Sequence, residues 1–241
     1  MRHSSFTAVY DACVLYPAPL RDFLMWLALS GCFRAKWSLE IHNEWKRNLL
    51  KNRPDLTAEQ LDRTSELMDQ ALPDACVTGY EDLIKGLTLP DLDDRHVLAA
   101  AIRCNASVIV TFNQKDFPGE ALGPFGIEAQ HPDEFVDNLF NLDPAAVVAA
   151  AQRQRKQLKM PPMNVSSYLD LLLRQGLVQS EQGIERIPRH SINDFLRLPK
   201  AKRRSKDRRF CLLPELPSQP ARHALDIRFF PWPVRADRPA P

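Results

Sequence analysis

The sequence predicts a three-layer α/β/α sandwich built on a parallel sheet. Short β-prone runs alternate along the chain with longer segments of helical periodicity, the pattern of strands joined by helical crossovers. The run Ser107-Val108-Ile109-Val110-Thr111 is continuously β-branched after its serine, as strands buried on both faces of a parallel sheet are. With 44% hydrophobic residues in 241, the chain can fill the core of a soluble globular protein of one or two domains.

Each element has its own local signal. Phe6-Thr7-Ala8-Val9-Tyr10 is β-prone, is interrupted by Asp11 and stops at Pro17, so it reads as a first strand ending near the aspartate. Residues 18–31 place Leu20, Phe23, Leu24 and Leu27 at helical spacing, with Gly31 as the stop. A second helix opens around Ser38, runs through Glu40, Ile41, Glu44, Trp45, Asn48 and Leu49, and ends before Pro54. Thr57 with Gln60 is a capping-box pattern for a third helix, reaching about Leu72 and closed by Pro73. Ala75-Cys76-Val77-Thr78 reads as a short strand, and Asp94 to Asn105 as a helix that turns Val97, Leu98, Ala101 and Ile102 inward. The Ser107–Thr111 strand follows. Pro144 to Lys159 is an Ala-rich amphipathic helix, Pro161-Pro162 breaks it, and Ser166 to Gln175 forms another. The predicted organisation is an α/β domain over residues 5–140, a helical extension over 143–180 and a tail over 184–241.

Composition excludes several function classes. No apolar run approaches the ~18 residues of a membrane span, and the start Met1-Arg2-His3-Ser4-Ser5 lacks the apolar stretch of a secretion signal. The expected location is cytoplasmic, with no membrane partner. Cys13, Cys32, Cys76, Cys104 and Cys211 form no C-x-x-C pair; they suggest neither a disulfide framework nor a thiolate zinc site, and read as reduced, mostly apolar filler. The glycines yield neither G-x-G-x-x-G nor G-x-x-x-x-G-K-[ST], which argues against dinucleotide and P-loop nucleotide binding.

The net charge of +2 conceals an asymmetry. Residues 1–180 carry 18 basic and 23 acidic side chains, whereas 181–241 carry 14 and 7. The tail holds nine prolines, no glycine after Gly183, and a basic cluster of Lys200, Lys202, Arg203, Arg204, Lys206, Arg208 and Arg209. A segment of this kind buries little apolar surface against its ordering entropy, so it is expected to be disordered. A solvated tail, a nonspecific nucleic-acid contact and the product of a shifted reading frame all fit its text.

In a parallel sheet the ligand crevice lies outside the carboxyl ends of the strands, and acidic residues collect there. Asp11 interrupts an apolar run directly after the first strand; Asp91, Asp93 and Asp94 lead into a helix; Asn113 and Asp116 follow the Val108–Thr111 strand. A carboxylate within apolar sequence is costly to bury unless paired or metal-bound. Singly, Asp94 reads equally as a helix N-cap, Asp116 as a turn residue and Glu44 as a solvated helix acid. Together they offer the hard oxygen ligands that Mg2+ or Mn2+ takes, with no Cys/His alternative at metal spacing. His42 and His96 read as local hydrogen-bonding partners rather than ligands.

Four segments carry a resemblance. They are Val9-Tyr10-Asp11-Ala12-Cys13-Val14-Leu15-Tyr16-Pro17, Ile41-His42-Asn43-Glu44-Trp45, the stretch Leu89 to Ala101 containing Asp91-Leu92-Asp93-Asp94-Arg95-His96, and Val110-Thr111-Phe112-Asn113-Gln114-Lys115-Asp116-Phe117. In order, spacing and strand-end placement this pattern resembles the PIN-domain ribonucleases, specifically the VapC-type toxins of toxin-antitoxin pairs. The resemblance covers roughly residues 5–140, and the helical pair up to about 180 looks like an extension found in some members. It implies a four-acid site of Asp11, Glu44, Asp94 and Asp116, with Asp11, Asp94 and Asp116 as ligands of Mg2+ or Mn2+. Asp91, Asp93, Thr111 and Asn113 are supporting candidates, Asn113 standing where many relatives have an aspartate. Arg95, His96 and Lys115 are candidate RNA contacts.

The implied activity is metal-dependent endoribonucleolytic hydrolysis of RNA, with a cognate antitoxin and a homodimer as family partners. The alternative is a catalytically inactive PIN-like module that binds RNA or protein. A receiver-like phosphoacceptor also gathers acids at strand ends, but it needs a lone aspartate on a middle strand and a lysine after the last one; Asp11 on strand one and Asp116 after Thr111 argue against it.

Overall fold

A computed structural model describes residues 6–158 and 163–185; the expected tail lies, from residue 186 onward, outside the described residues. Five strands form one sheet: β1 (Thr7–Tyr10), β2 (Arg34–Ser38), β3 (Cys76–Val77), β4 (Val108–Val110) and β5 (Glu128–Gln130). Their order is β3-β2-β1-β4-β5 and every pairing is parallel. The helices are α1 (Ala12–Leu15), α2 (Ala18–Ala28), α3 (Leu39–Asn52), α4 (Ala58–Ala71), α5 (Glu81–Ile84), α6 (Arg95–Arg103), α7 (Gly119–Leu122), α8 (Pro132–Leu142), α9 (Pro144–Gln157), α10 (Val165–Arg174) and α11 (Val178–Glu185). Every residue of β1 and β4 is buried, so helices cover both faces of the sheet, as parallel strands require.

Alternation along β1 divides the core. Tyr10 points to one face, where its ring meets Phe33, Trp37 and Phe135, and its hydroxyl donates to the Leu24 carbonyl at 3.1 Å. Helix α6 buries Val97, Leu98, Ala99, Ala100 and Ala101; Val97, Leu98 and Ala101 join the main core, while the small Ala99 and Ala100 pack with Val77 and Tyr80. Past the end of that helix comes Asn105, whose φ of 51° lets the Ala106 N–H reach back to the Ala101 carbonyl at 2.9 Å. This left-handed stop turns the chain straight into β4.

The predicted capping box at Thr57 and Gln60 is formed, and Ser38 caps α3 through the Ile41 N–H at 3.2 Å. The second predicted helix thus starts where expected, but a strand precedes it: β2 reads Arg34-Ala35-Lys36-Trp37-Ser38, and its charged positions mask the buried Ala35 and Trp37. Helix α2 stops at Ala28, ahead of Gly31. The helical extension joins the main core through Val147, Ala150, Ala151, Tyr168, Leu171, Leu172 and Leu177. A buried chain of bonds fastens it there, from Tyr168 Oη to Gln154 Oε1 (2.6 Å) and from Gln154 Nε2 to the Pro19 carbonyl (2.7 Å).

Candidate metal centre

Strands β1 and β4 are neighbours in mid-sheet. From β1 the chain crosses to β2 on one side, while β4 lies on the other, so the crevice expected at such a switch point opens at their carboxyl ends. Asp11 stands at one lip and Thr111 at the other. The Asp11 N–H donates to the Val110 carbonyl at 3.1 Å, extending the pairing one residue beyond the strands.

Asp11 is only 5% exposed, and protein donors hold its carboxylate on both oxygens. Oδ1 accepts from the Ala12 N–H at 2.6 Å, capping α1, and Oδ2 accepts from Thr111 Oγ1 at 2.7 Å and from Cys13 Sγ at 3.0 Å. Burial raises its pKa, the Cys13 thiol opposes that, and the Glu44 charge adds to it. Thr111 Oγ1 also accepts from the Asn113 N–H at 2.9 Å, and Cys13 Sγ accepts from the Phe112 N–H at 3.2 Å. Cys13, read from sequence as apolar filler, instead ties the end of β1 to the segment after β4. Burial pushes its thiol well up, so it stays a protonated donor. Its place two residues after a buried acid at a helix start was the available signal.

Asp94 occupies the N-cap position of α6 but makes no capping bond, its φ and ψ being −85° and −5°. Helix capping therefore does not account for Asp94. Its carboxyl points instead to Asp91 and Asp116; one ligand oxygen from each of the three lies within 4.8 Å of the others. Among the described residues this is the acidic group able to hold a metal ion, and Asp11 and Glu44 stand outside it. Burial, then the charges of Asp11, Asp91, Glu44 and Asp116, push Asp94 up to about 8. Burial and the four neighbouring acids all disfavour its charge.

The remaining predicted residues are distributed around this cluster. Asn113 Nδ2 donates to Asp116 Oδ2. Asp93 is exposed, and its N–H donates to Asp91 Oδ1 at 3.0 Å. Glu44, on α3, lies 3.3 Å through Oε2 from His96 Nε2, and Glu40 approaches His96 Nδ1 at 3.9 Å. His96 is buried. Burial lowers its pKa, but the bond to Glu44 and the charges of Glu40, Glu44 and Asp11 outweigh burial, and the net shift is upward. Arg95 donates from Nε to the Leu92 carbonyl at 2.9 Å, and Lys115 is exposed.

Comparison with known families follows these positions. Residues 7–115 match the family model described as PIN domain, and residues 132–183 match the model described as VapC50 C-terminal domain. Residues 7–115 thus resemble a PIN domain. Over 104 residues it is 42% identical to "Putative ribonuclease VapC50" of Mycobacterium tuberculosis (strain ATCC 25618 / H37Rv), a match covering 43% of this chain and 61% of that protein. The chain thus spans about three fifths of that relative's length. No solved structure matches it significantly. The PIN-domain match contains Asp11, Glu44, Asp94 and Thr111 and ends at Lys115, one residue before Asp116. No described helix is long and apolar enough to cross a membrane.

Proposed function

We propose that this chain is a Mg2+- or Mn2+-dependent endoribonuclease and the toxin of a type II toxin-antitoxin pair, with RNA as substrate, a cognate antitoxin as inhibitor and a homodimer as working form. The observation that carries this reading is Asp94: a half-buried carboxyl at a helix start that caps nothing, converges on Asp91 and Asp116 within 4.8 Å, and is held near pKa 8 by burial and by neighbouring acids. Such a group is poised to exchange its proton for a cation. The PIN-domain match and the VapC50 relative supply the reaction class.

A divalent ion bound there would neutralise the scissile phosphate and acidify a water beside it. Asp94, Asp91 and Asp116 are the residues to hold it. Asp11, whose Oδ1 has a single protein donor, keeps a lone pair to offer the same ion. Thr111 and Cys13 fix the Asp11 carboxylate in one orientation, Asn113 does the same for Asp116, and His96 steadies Glu44 beside them. Exposed Lys115, on the lip next to Asp116, is placed to meet an incoming RNA backbone.

The test incubates the purified chain with defined single-stranded RNAs and maps new ends. Wild type should cut only with Mg2+ or Mn2+, Asp94→Asn should lose cleavage, and Glu40→Ala, whose side chain is 53% exposed, should keep it. Binding without metal-dependent cleavage by wild type would hand the chain to the inactive-module reading. Expression of the wild type alone should stop growth, and Asp94→Asn should not.

A further inference from the structure

Phe112 lies between two residues that hold the acids in place. Thr111 before it donates to Asp11, and Asn113 after it donates to Asp116. Successive Cα atoms are only about 3.8 Å apart, so the Phe112 backbone adjoins both residues that hold these acids. Its own N–H is fixed on Cys13 Sγ at 3.2 Å, and yet the residue is 37% exposed.

The ring is also supported from behind. His131 meets it with ring centroids 5.1 Å apart and planes at 70°, an edge-to-face pair rather than a stack. His131 is itself immobilised, because its Nδ1 accepts from the Asp133 N–H at 3.2 Å; this bond puts a neutral imidazole's proton on Nε2. On the third side is Gly176, in the turn between α10 and α11, with φ +80° and its absent Cβ only 3.8 Å from Phe112 and 3.9 Å from His131. The helical extension therefore forms one wall of this aromatic corner.

We infer that Phe112, backed by His131 and Gly176, is a nucleobase-stacking subsite that seats an unpaired base of single-stranded RNA beside the metal centre. The inference takes its ligand class from the ribonuclease reading above. Unpaired bases are recognised by stacking on aromatic side chains, a contact that tolerates sequence because every base has a π-face. With the phosphate drawn to the cation, a base of the same or the adjoining nucleotide falls on this ring. The subsite selects single-stranded over paired RNA, because a base held in a duplex cannot reach it.

The test measures binding of labelled hexaribonucleotides to the full chain with Ca2+ in place of Mg2+, using one intact oligonucleotide and a set in which a single abasic position is walked along it. Wild type should show one position where base removal raises Kd by about 5- to 100-fold. In Phe112→Ala and Phe112→Leu that penalty should vanish, Leu keeping apolar bulk without a π-face, while Phe112→Trp restores it. Leu142→Ala, which trims another exposed apolar residue, should keep the wild-type penalty. A penalty at no position in wild type, or one that persists in Phe112→Leu, overturns the subsite. Cleavage is scored separately: wild type that binds with the abasic penalty but cuts nothing in Mg2+ ends the ribonuclease reading and leaves the subsite standing.

Discussion

Asp11 concentrates the residue-scale chemistry, since it is buried, held by three donors and raised in pKa. Asp11→Asn should still fold. The new amide can keep its oxygen on the Ala12 N–H and donate its NH2 to Thr111 Oγ1, because a hydroxyl both donates and accepts, and losing a buried charge removes a cost. RNA cleavage in Mg2+ should fall by more than about 100-fold, beyond the roughly 10- to 100-fold usual for changes one shell out from a metal. Thr111→Val, which removes only the hydroxyl on Oδ2, belongs in that smaller range. Single-turnover rates of the two variants check both values, and a Thr111→Val loss as large as that of Asp11→Asn would mean that Thr111 touches the reacting groups itself. Of the proposed acids, Asp11 stands out in the sequence because it interrupts an apolar run, whereas Asp94 and Asp116, which singly read as a helix cap and a turn residue, stand out only through the resemblance of their segments. Cys13 does not stand out, since a cysteine in apolar text looks like packing until its neighbours are placed.

At the scale of elements, what the sequence hid was whatever tertiary pairing creates. Strand β5 is Glu128-Ala129-Gln130, with no β-branched residue, and exists through its register with Val108, Ile109 and Val110. Context of that kind overrides propensity. Helix α8 has local signals of its own, with Pro132 in its first turn followed by Asp133 and Glu134. Asp133 also reaches across to the start of α11, where its carboxylate accepts from the Gln179 N–H (3.0 Å), the Ser180 N–H (3.0 Å) and the Ser180 hydroxyl (2.8 Å). No sequence pattern links residues 46 or 47 positions apart. Asp133→Ala should cost about 2–4 kcal/mol, combining a lost helix cap with buried donors left unpaired. Hydrogen exchange should speed up at Gln179 and Ser180 ahead of β1 and β4; uniform acceleration would mean that α11 unfolds only with the whole protein.

For the whole molecule, the acidic cluster makes folding depend on pH and, with the proposed ion bound, would make it depend on metal as well. Asp94 is held at about 8 against an ordinary value of 3.8, so the fold retains a proton that the unfolded chain releases. Its stabilising contribution is complete below about pH 4 and is lost as pH rises through 8. Asp11, also raised, has the same sign, as does His96, raised above 6.5. His42 and His131 are lowered, chiefly by burial, and oppose them only below about pH 6.5. Between about pH 6.5 and 8, therefore, the metal-free protein should lose melting temperature as pH rises. Mg2+ needs the deprotonated cluster, so its stabilisation should be larger at pH 8 than at 6.5, approaching about 2.7 kcal/mol at ~100-fold excess over Kd, or roughly 5–10 °C for a fold of this size. Asp94→Asn should reduce the metal-free slope to the part that Asp11 and His96 supply, and remove most of the Mg2+ increment, because its carboxyl contributes to both. Thermal melts of wild type and variant at the two pH values, with and without Mg2+, decide the matter. A Mg2+ increment that survives in Asp94→Asn, or that is equal at both pH values in wild type, would place the ion elsewhere and separate the pH sensitivity of this fold from its metal chemistry.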